Sequence, residues 1–172
     1  MENAGFVRDD ATLAVVLLTG EDDCSAADPD LYNIDSTRYG DDLNLRCFRY
    51  PEALYPASRY VNGLLALKSS PGRVVFSVIA GVPADITSHD PSVVIADPRM
   101  MAAPDPTMPM RLTPVCNTPG AGLALPAERI VRTAQAFQAA GGHAYVGSVC
   151  LPDHSDLARG IAEQIGHSLG GG

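Results

Sequence analysis

The chain has 172 residues, 46% of them hydrophobic and 19% charged. That length and balance suit one folded domain and exclude global disorder. The formal net charge is −8, which argues against a nucleic-acid partner, because phosphate backbones are met by basic surfaces. No apolar run approaches the ~20 residues that cross a bilayer as a helix.

The opening MENAGFVRDD has neither a basic start nor an apolar middle, so it is not read as a signal peptide. Residues 12–19, TLAVVLLT, are continuously apolar. They predict a strand buried on both faces, as in a parallel sheet with helices above and below. A polar loop of about 30 residues follows, long enough to imply a functional or cross-linked segment. Within residues 20–42, Glu21, Asp22, Asp23, Asp28, Asp30, Asp35, Asp41 and Asp42 stand against Arg38 alone. Eight acids against one base place −7 of the net −8 in that stretch. A calcium-binding helix–loop–helix reading from Asp28 fails, since Tyr32, Asn33 and Tyr39 occupy positions that need a ligand, a glycine and a glutamate. A solvated loop with Asx turns is the expectation.

Residues 57–67 have helical spacing, with Tyr60, Val61, Leu64 and Leu65 on one face. Residues 73–80, RVVFSVIA, predict a second buried strand. Residues 84–125 read as an irregular, proline-rich insertion, with a brief strand at 93–96. Pro126 fits the first turn of a helix whose buried face is Ala127, Ile130, Val131, Ala134 and Phe137. Gly141 and Gly142 supply the stop. Residues 143–150, HAYVGSVC, predict a third strand. Asp153 caps a last helix whose stripe is Leu157, Ile161, Ile165 and Leu169, and the terminal glycines fray. Strand and helix alternate three times, which predicts an α/β fold with a doubly wound, mainly parallel sheet.

The stretch LAVVLLTGEDDCS resembles the strand of von Willebrand factor A (vWA) domains that ends in Thr-Asp-Gly or Thr-Asp-Glu. More narrowly, the chain is similar to uncharacterised bacterial secreted or lipid-anchored proteins with vWA-like domains, whose matching strand ends TDEDDCS. LNLRCFRY, RLTPVCNTPG, LPAERIVR and VGSVC extend the likeness over roughly residues 3–168. The resemblance implies a metal-ion-dependent adhesion site at the carboxyl edge of the sheet, built from an upstream Asp-x-Ser-x-Ser strand, a threonine and a strand-ending aspartate. This sequence departs from it in two places. No Asp-x-Ser-x-Ser strand precedes residue 12, and Gly20 stands where the aspartate is expected. The site is therefore expected to be degenerate or absent, with Glu21, Asp22 and Asp23 as the residues that would hold magnesium, manganese or calcium. An apolar strand left at a sheet edge is an aggregation hazard. The expectation is thus that 1–172 is one partial vWA-like domain, or that another chain or a segment of 84–125 covers that edge.

Cysteines fall at 24, 47, 116 and 150, with no Cys-x-x-Cys and no His/Cys cluster to suggest zinc. In a parallel sheet, Cys24 follows one strand, Cys150 ends another, Cys116 precedes a helix that starts at the same edge, and Cys47 closes the acidic loop. The expected pairs are Cys24 with Cys47 and Cys116 with Cys150, each worth about 3–4 kcal/mol on the chain-entropy model. They imply an extracytoplasmic compartment. Four reduced thiols would imply a cytoplasmic one.

GAGLAL at 120–125 lacks the third glycine of a phosphate loop and reads as a turn. PDHSDLA at 152–158 reads as a helix cap rather than a catalytic relay. His89, His143 and His167 are isolated, and Phe137 and the tyrosines read as core or interface rather than a ligand cage. The functional expectation is a non-catalytic, extracytoplasmic vWA-like module that binds a protein or other extracellular ligand at the carboxyl edge. The alternatives are a hydrolase using Asp23 or His154 as acid or base, and a structural fragment with no site.

Overall fold

A computed structural model describes residues 5–119 and 122–170. Residues 1–4 of the opening segment, Gly120 and Ala121 of GAGLAL, and the terminal Gly171 and Gly172 lie outside the described residues. Among the described residues five strands are formed: β1 (Leu13–Leu18), β2 (Val74–Ala80), β3 (Cys116–Thr118), β4 (Gly122–Ala124) and β5 (His143–Ser148). The helices are α1 (Leu43–Arg49), α2 (Ala57–Leu65), α3 (Pro91–Ile95), α4 (Glu128–Ala139) and α5 (Ser155–Gly170).

The three long apolar segments pair in parallel in the order β1-β2-β5, with Val15 opposite Phe76 and Phe76 opposite Ala144. β2 is central, and all seven of its residues are buried, which is why it reads as an unbroken apolar run. On one face, α2 and α4 cover the sheet. Val61, Val131, Ala134 and Phe137 meet Val74, Phe76, Val78 and Val146 there, and Phe76 stacks on Phe137 at 4.8 Å between ring centroids. On the opposite face, Leu157 and Ile161 of α5 pack on Ile79 and Tyr145. Each such side chain, fully buried, contributes about 1.5–3 kcal/mol. The fold is thus α/β, a three-stranded parallel sheet with helices on both faces.

The structure corrects several expectations. β1 is not buried on both faces. Val15 and Leu17 reach the core, but Val16 and Leu18 are 53% and 65% exposed, because α5 packs over β2 and β5 rather than β1. Among the described residues of 84–125, no strand pairs with the outer edge of β1. The segment runs beside β5, where Val146 N–H donates to the His89 carbonyl at 3.1 Å and the His89 ring stacks on Tyr145 at 4.3 Å, so His89 is not isolated either. Residues 93–95 are helical within α3 and Ala96 is its C-cap, since Asp90 caps Ser92 N–H at 2.7 Å and Pro91 occupies the first turn. The same segment holds the antiparallel pair β3 and β4. Pro126 stands two residues ahead of α4 instead of inside it. Leu169 is 66% exposed and leaves the α5 stripe.

The acidic loop is also more than a solvated excursion. Leu31, Tyr39, Ala53 and Leu54 form their own small core. Arg46, only 4% exposed, donates to the carbonyls of Asp41, Leu31 and Asn33 at 2.9, 3.0 and 2.6 Å. Its fixed fork of donors ties three turns together. The Asx turns are present, as at Asn33, whose Oδ1 accepts Asp35 N–H at 3.0 Å.

Candidate functional site

Parallel strands deliver their following loops to one edge, and here three such loops meet. β4 and the residues after it lie across the ends of β1 and β2: Leu125 N–H donates to the Gly20 carbonyl at 2.9 Å, and Ala127 N–H to the Gly81 carbonyl at 3.0 Å. A Cβ at Gly81 would overlap the Leu125 carbonyl, so the close crossing requires glycine. This crossing sets α4 with its N-terminus beside the acids that follow β1.

The acids answer that placement. Ala127, at the N-cap position of α4, offers no side-chain cap. Asp22 takes the role from a distant loop: Oδ2 accepts Arg129 N–H at 3.0 Å and Oδ1 accepts Ile130 N–H at 3.1 Å. A carboxylate at a helix N-terminus satisfies orphan donors and the helix dipole together. Desolvation nonetheless pushes the Asp22 carboxyl above its ordinary value, against the downward pull of those backbone N–H groups and of the Arg129 charge. Asp23 Oδ1 accepts the N–H and hydroxyl of Ser25 at 3.2 and 2.6 Å, and its Oδ2 accepts Arg129 Nη2 at 3.0 Å. Arg129 Nη2 also donates to the Tyr55 carbonyl at 2.8 Å, while its Nε is buried without a partner. Glu21 is exposed. Glu21, Asp22 and Asp23 therefore share the edge, but Asp22 is turned to the helix and Asp23 to an arginine. Among the described residues, no group of three or more His, Cys, Asp or Glu side chains is arranged to hold a metal ion.

The expected cysteine pairs are formed. Cys24 is bonded to Cys47 with Cα atoms 5.5 Å apart, and Cys116 to Cys150 at 6.1 Å. The first ties the loop after β1 to α1; the second ties β3 to the residue just past β5. Both sit at the carboxyl edge.

Between these elements lies a cleft of about 740 Å³, inside the ~300–1,000 Å³ range of ligand pockets. Its lining includes Glu21, Asp22 and Asp23, the disulfide of Cys24 with Cys47, and Leu43 and Phe48 of α1, together with Asp105, Met108, Arg111 and Leu112 from the proline-rich segment and Leu123, Leu125 and Arg129. Arg129, Met108 and Arg111 are site residues that sequence reasoning does not single out. A signal for Arg129 is available: a cation in the first turn of a helix opposes the dipole, so it asks for a nearby carboxylate.

His154 does not line the cleft; its Nε2 lies 3.3 Å from the Val149 carbonyl. Asp153 accepts the N–H and hydroxyl of Ser155 at 2.9 and 2.7 Å, which is the helix-start role expected of it. Among the described residues, no helix is long and apolar enough to cross a membrane. No family model matches the chain, and neither a curated protein nor a solved structure matches it.

Proposed function

We propose that this chain is a non-catalytic, extracytoplasmic binding module on a vWA-like, doubly wound scaffold, and that it takes a protein or other extracellular ligand in the cleft at the carboxyl edge. The observation that carries this reading is the cleft itself, lined by the loop that follows β1, by the proline-rich segment and by several apolar side chains. Two disulfides support the compartment, since such bonds persist where the surroundings are oxidising. What supports a larger vWA-like sheet is the outer edge of β1, where Val16 and Leu18 offer an apolar face that further strands and a helix would cover. What supports a non-catalytic role is the engagement of Asp23 by Arg129 and Ser25 and the position of His154 outside the cleft.

An NMR fragment screen on the oxidised protein tests this. Binders should perturb the amides of Leu43, Phe48, Leu112 and Leu123 together. A screen that yields no binders, or binders that perturb only the face of α5, overturns the assignment.

A further inference from the structure

The cleft lining combines net negative charge with exposed apolar side chains, and that combination specifies a class of ligand. This inference rests on the binding role just proposed and names what is bound. The acidic stretch contributes Glu21, Asp22 and Asp23 to the lining; Asp22 caps α4 and Asp23 meets Arg129, while Glu21 is exposed. Five carboxylates line the cleft (Glu21, Asp22, Asp23, Asp105 and Glu128) against the two guanidiniums of Arg111 and Arg129. The lining also carries exposed apolar side chains, among them Met108 at 48% exposure. Leu43 and Leu123 add further exposed apolar area within the lining.

Scattered exposed apolar residues are ordinary, but several large ones around one cleft mark an interaction surface. Methionine suits such a surface, because its unbranched, polarisable side chain adapts to varied apolar shapes. A cleft that is both net negative and partly apolar favours an occupant with both apolar and cationic side chains, the apolar ones against Leu43, Met108 and Leu123 and a cationic one near Glu21. A small cation would leave the apolar side chains exposed, and an uncharged apolar ligand would leave the negative charge unmatched.

We infer that the cleft binds a cationic, amphipathic peptide segment of a partner protein. Such segments dock by laying one apolar face into a groove, while opposite charge speeds encounter and selects partners.

The test is fluorescence anisotropy with labelled synthetic peptides of about 14 residues. One has Leu and Lys at helical spacing, a second has Glu for Lys, and a third has Ser for Leu. The Leu/Lys peptide should bind about tenfold or more tightly than either control, and about 0.5 M NaCl should weaken it severalfold. Glu21→Lys and Met108→Asp, both at exposed positions, should each weaken it with circular dichroism unchanged. Equal binding of the Leu/Glu peptide, or a Leu/Lys affinity that neither variant moves, overturns the inference. If fragments still perturb the cleft amides while no peptide binds, the ligand class is wrong and the binding role stands. If neither fragments nor peptides bind, both fall.

Discussion

Asp22 and Ile130 are 108 residues apart in sequence, yet the Asp22 Oδ1 accepts the Ile130 N–H at 3.1 Å. A residue just past the first strand thereby closes the N-terminus of a helix formed late in the chain. The edge strand, the cleft and the principal core helix are coupled through one carboxylate. Asp22→Ala removes the acceptor for two helix donors, and its cost is expected to be about 1–2 kcal/mol. Asp22→Asn keeps one oxygen acceptor and should cost less. Urea midpoints of the two variants decide this; an unshifted Asp22→Ala midpoint would show that water caps α4 equally well.

The same residue gives a pH signature. Desolvation raises the Asp22 carboxyl above 3.8 in the folded state. The native state then holds that proton more tightly than the unfolded chain, so this group's contribution to stability falls as pH rises from 3.8 through the folded value. Asp97 has the opposite sign. The side chain of Arg99 draws it down to about 2, so its contribution is present above 3.8 and is lost as pH falls toward that value. Stability measured over about pH 3 to 7 should show both effects. The wild type should lose ground to Asp22→Asn as pH rises, and Arg99→Met should flatten the acid limb.

The bridge of Cys24 with Cys47 lines the cleft, and that of Cys116 with Cys150 ties β3 to the chain after β5. Their sequence separations are 23 and 34 residues, for which the chain-entropy model gives about 3–4 kcal/mol each. Cys24→Ser with Cys47→Ser should lower the melting temperature and increase hydrogen exchange over residues 20–50. The β2 and β5 amides should keep their order of protection, because the three-stranded sheet is packed from both sides by helices that this bridge does not touch. Mass spectrometry without reductant should find no alkylatable thiol.

Two glycines should behave oppositely. At Gly81 an added methyl meets the Leu125 carbonyl, a backbone atom that cannot rotate away. Gly81→Ala should cost about 1–3 kcal/mol and disturb the cleft through Leu125. A methyl added at Gly63, inside α2, would meet nothing within 4 Å. Gly63→Ala should stabilise by about 0.5–1 kcal/mol. Thermal melts of the pair separate a packing requirement from a mere tolerance.

How much of this is legible in the residues follows from how local each signal is. β2 can be read from its unbroken apolar run, and α4 from the spacing of Ile130, Val131, Ala134 and Phe137, all buried as expected. Parallel topology sends all four cysteines to one edge, and of the three pairings that this leaves open the sequential one is formed. Residues 93–96 read as a strand because Val93, Val94 and Ile95 are β-branched, while the deciding feature is the Asp90 cap on Ser92 N–H with Pro91 in the first turn. The loop core around Arg46 is invisible in the sequence because its three acceptors are backbone carbonyls, which any sequence supplies.

The sequence by itself determined which of the longer segments are strands and helices, the concentration of charge in one loop and the set of thiols at one edge, since these depend on periodicity, composition and chain order. Tertiary structure alone decided that β1 shows one face to solvent, because that depends on where α5 comes to rest. It alone decided that Asp22 faces a helix end and Asp23 an arginine, because a carboxylate takes whichever donors the fold brings within about 3 Å, and here those donors arrive from more than a hundred residues away.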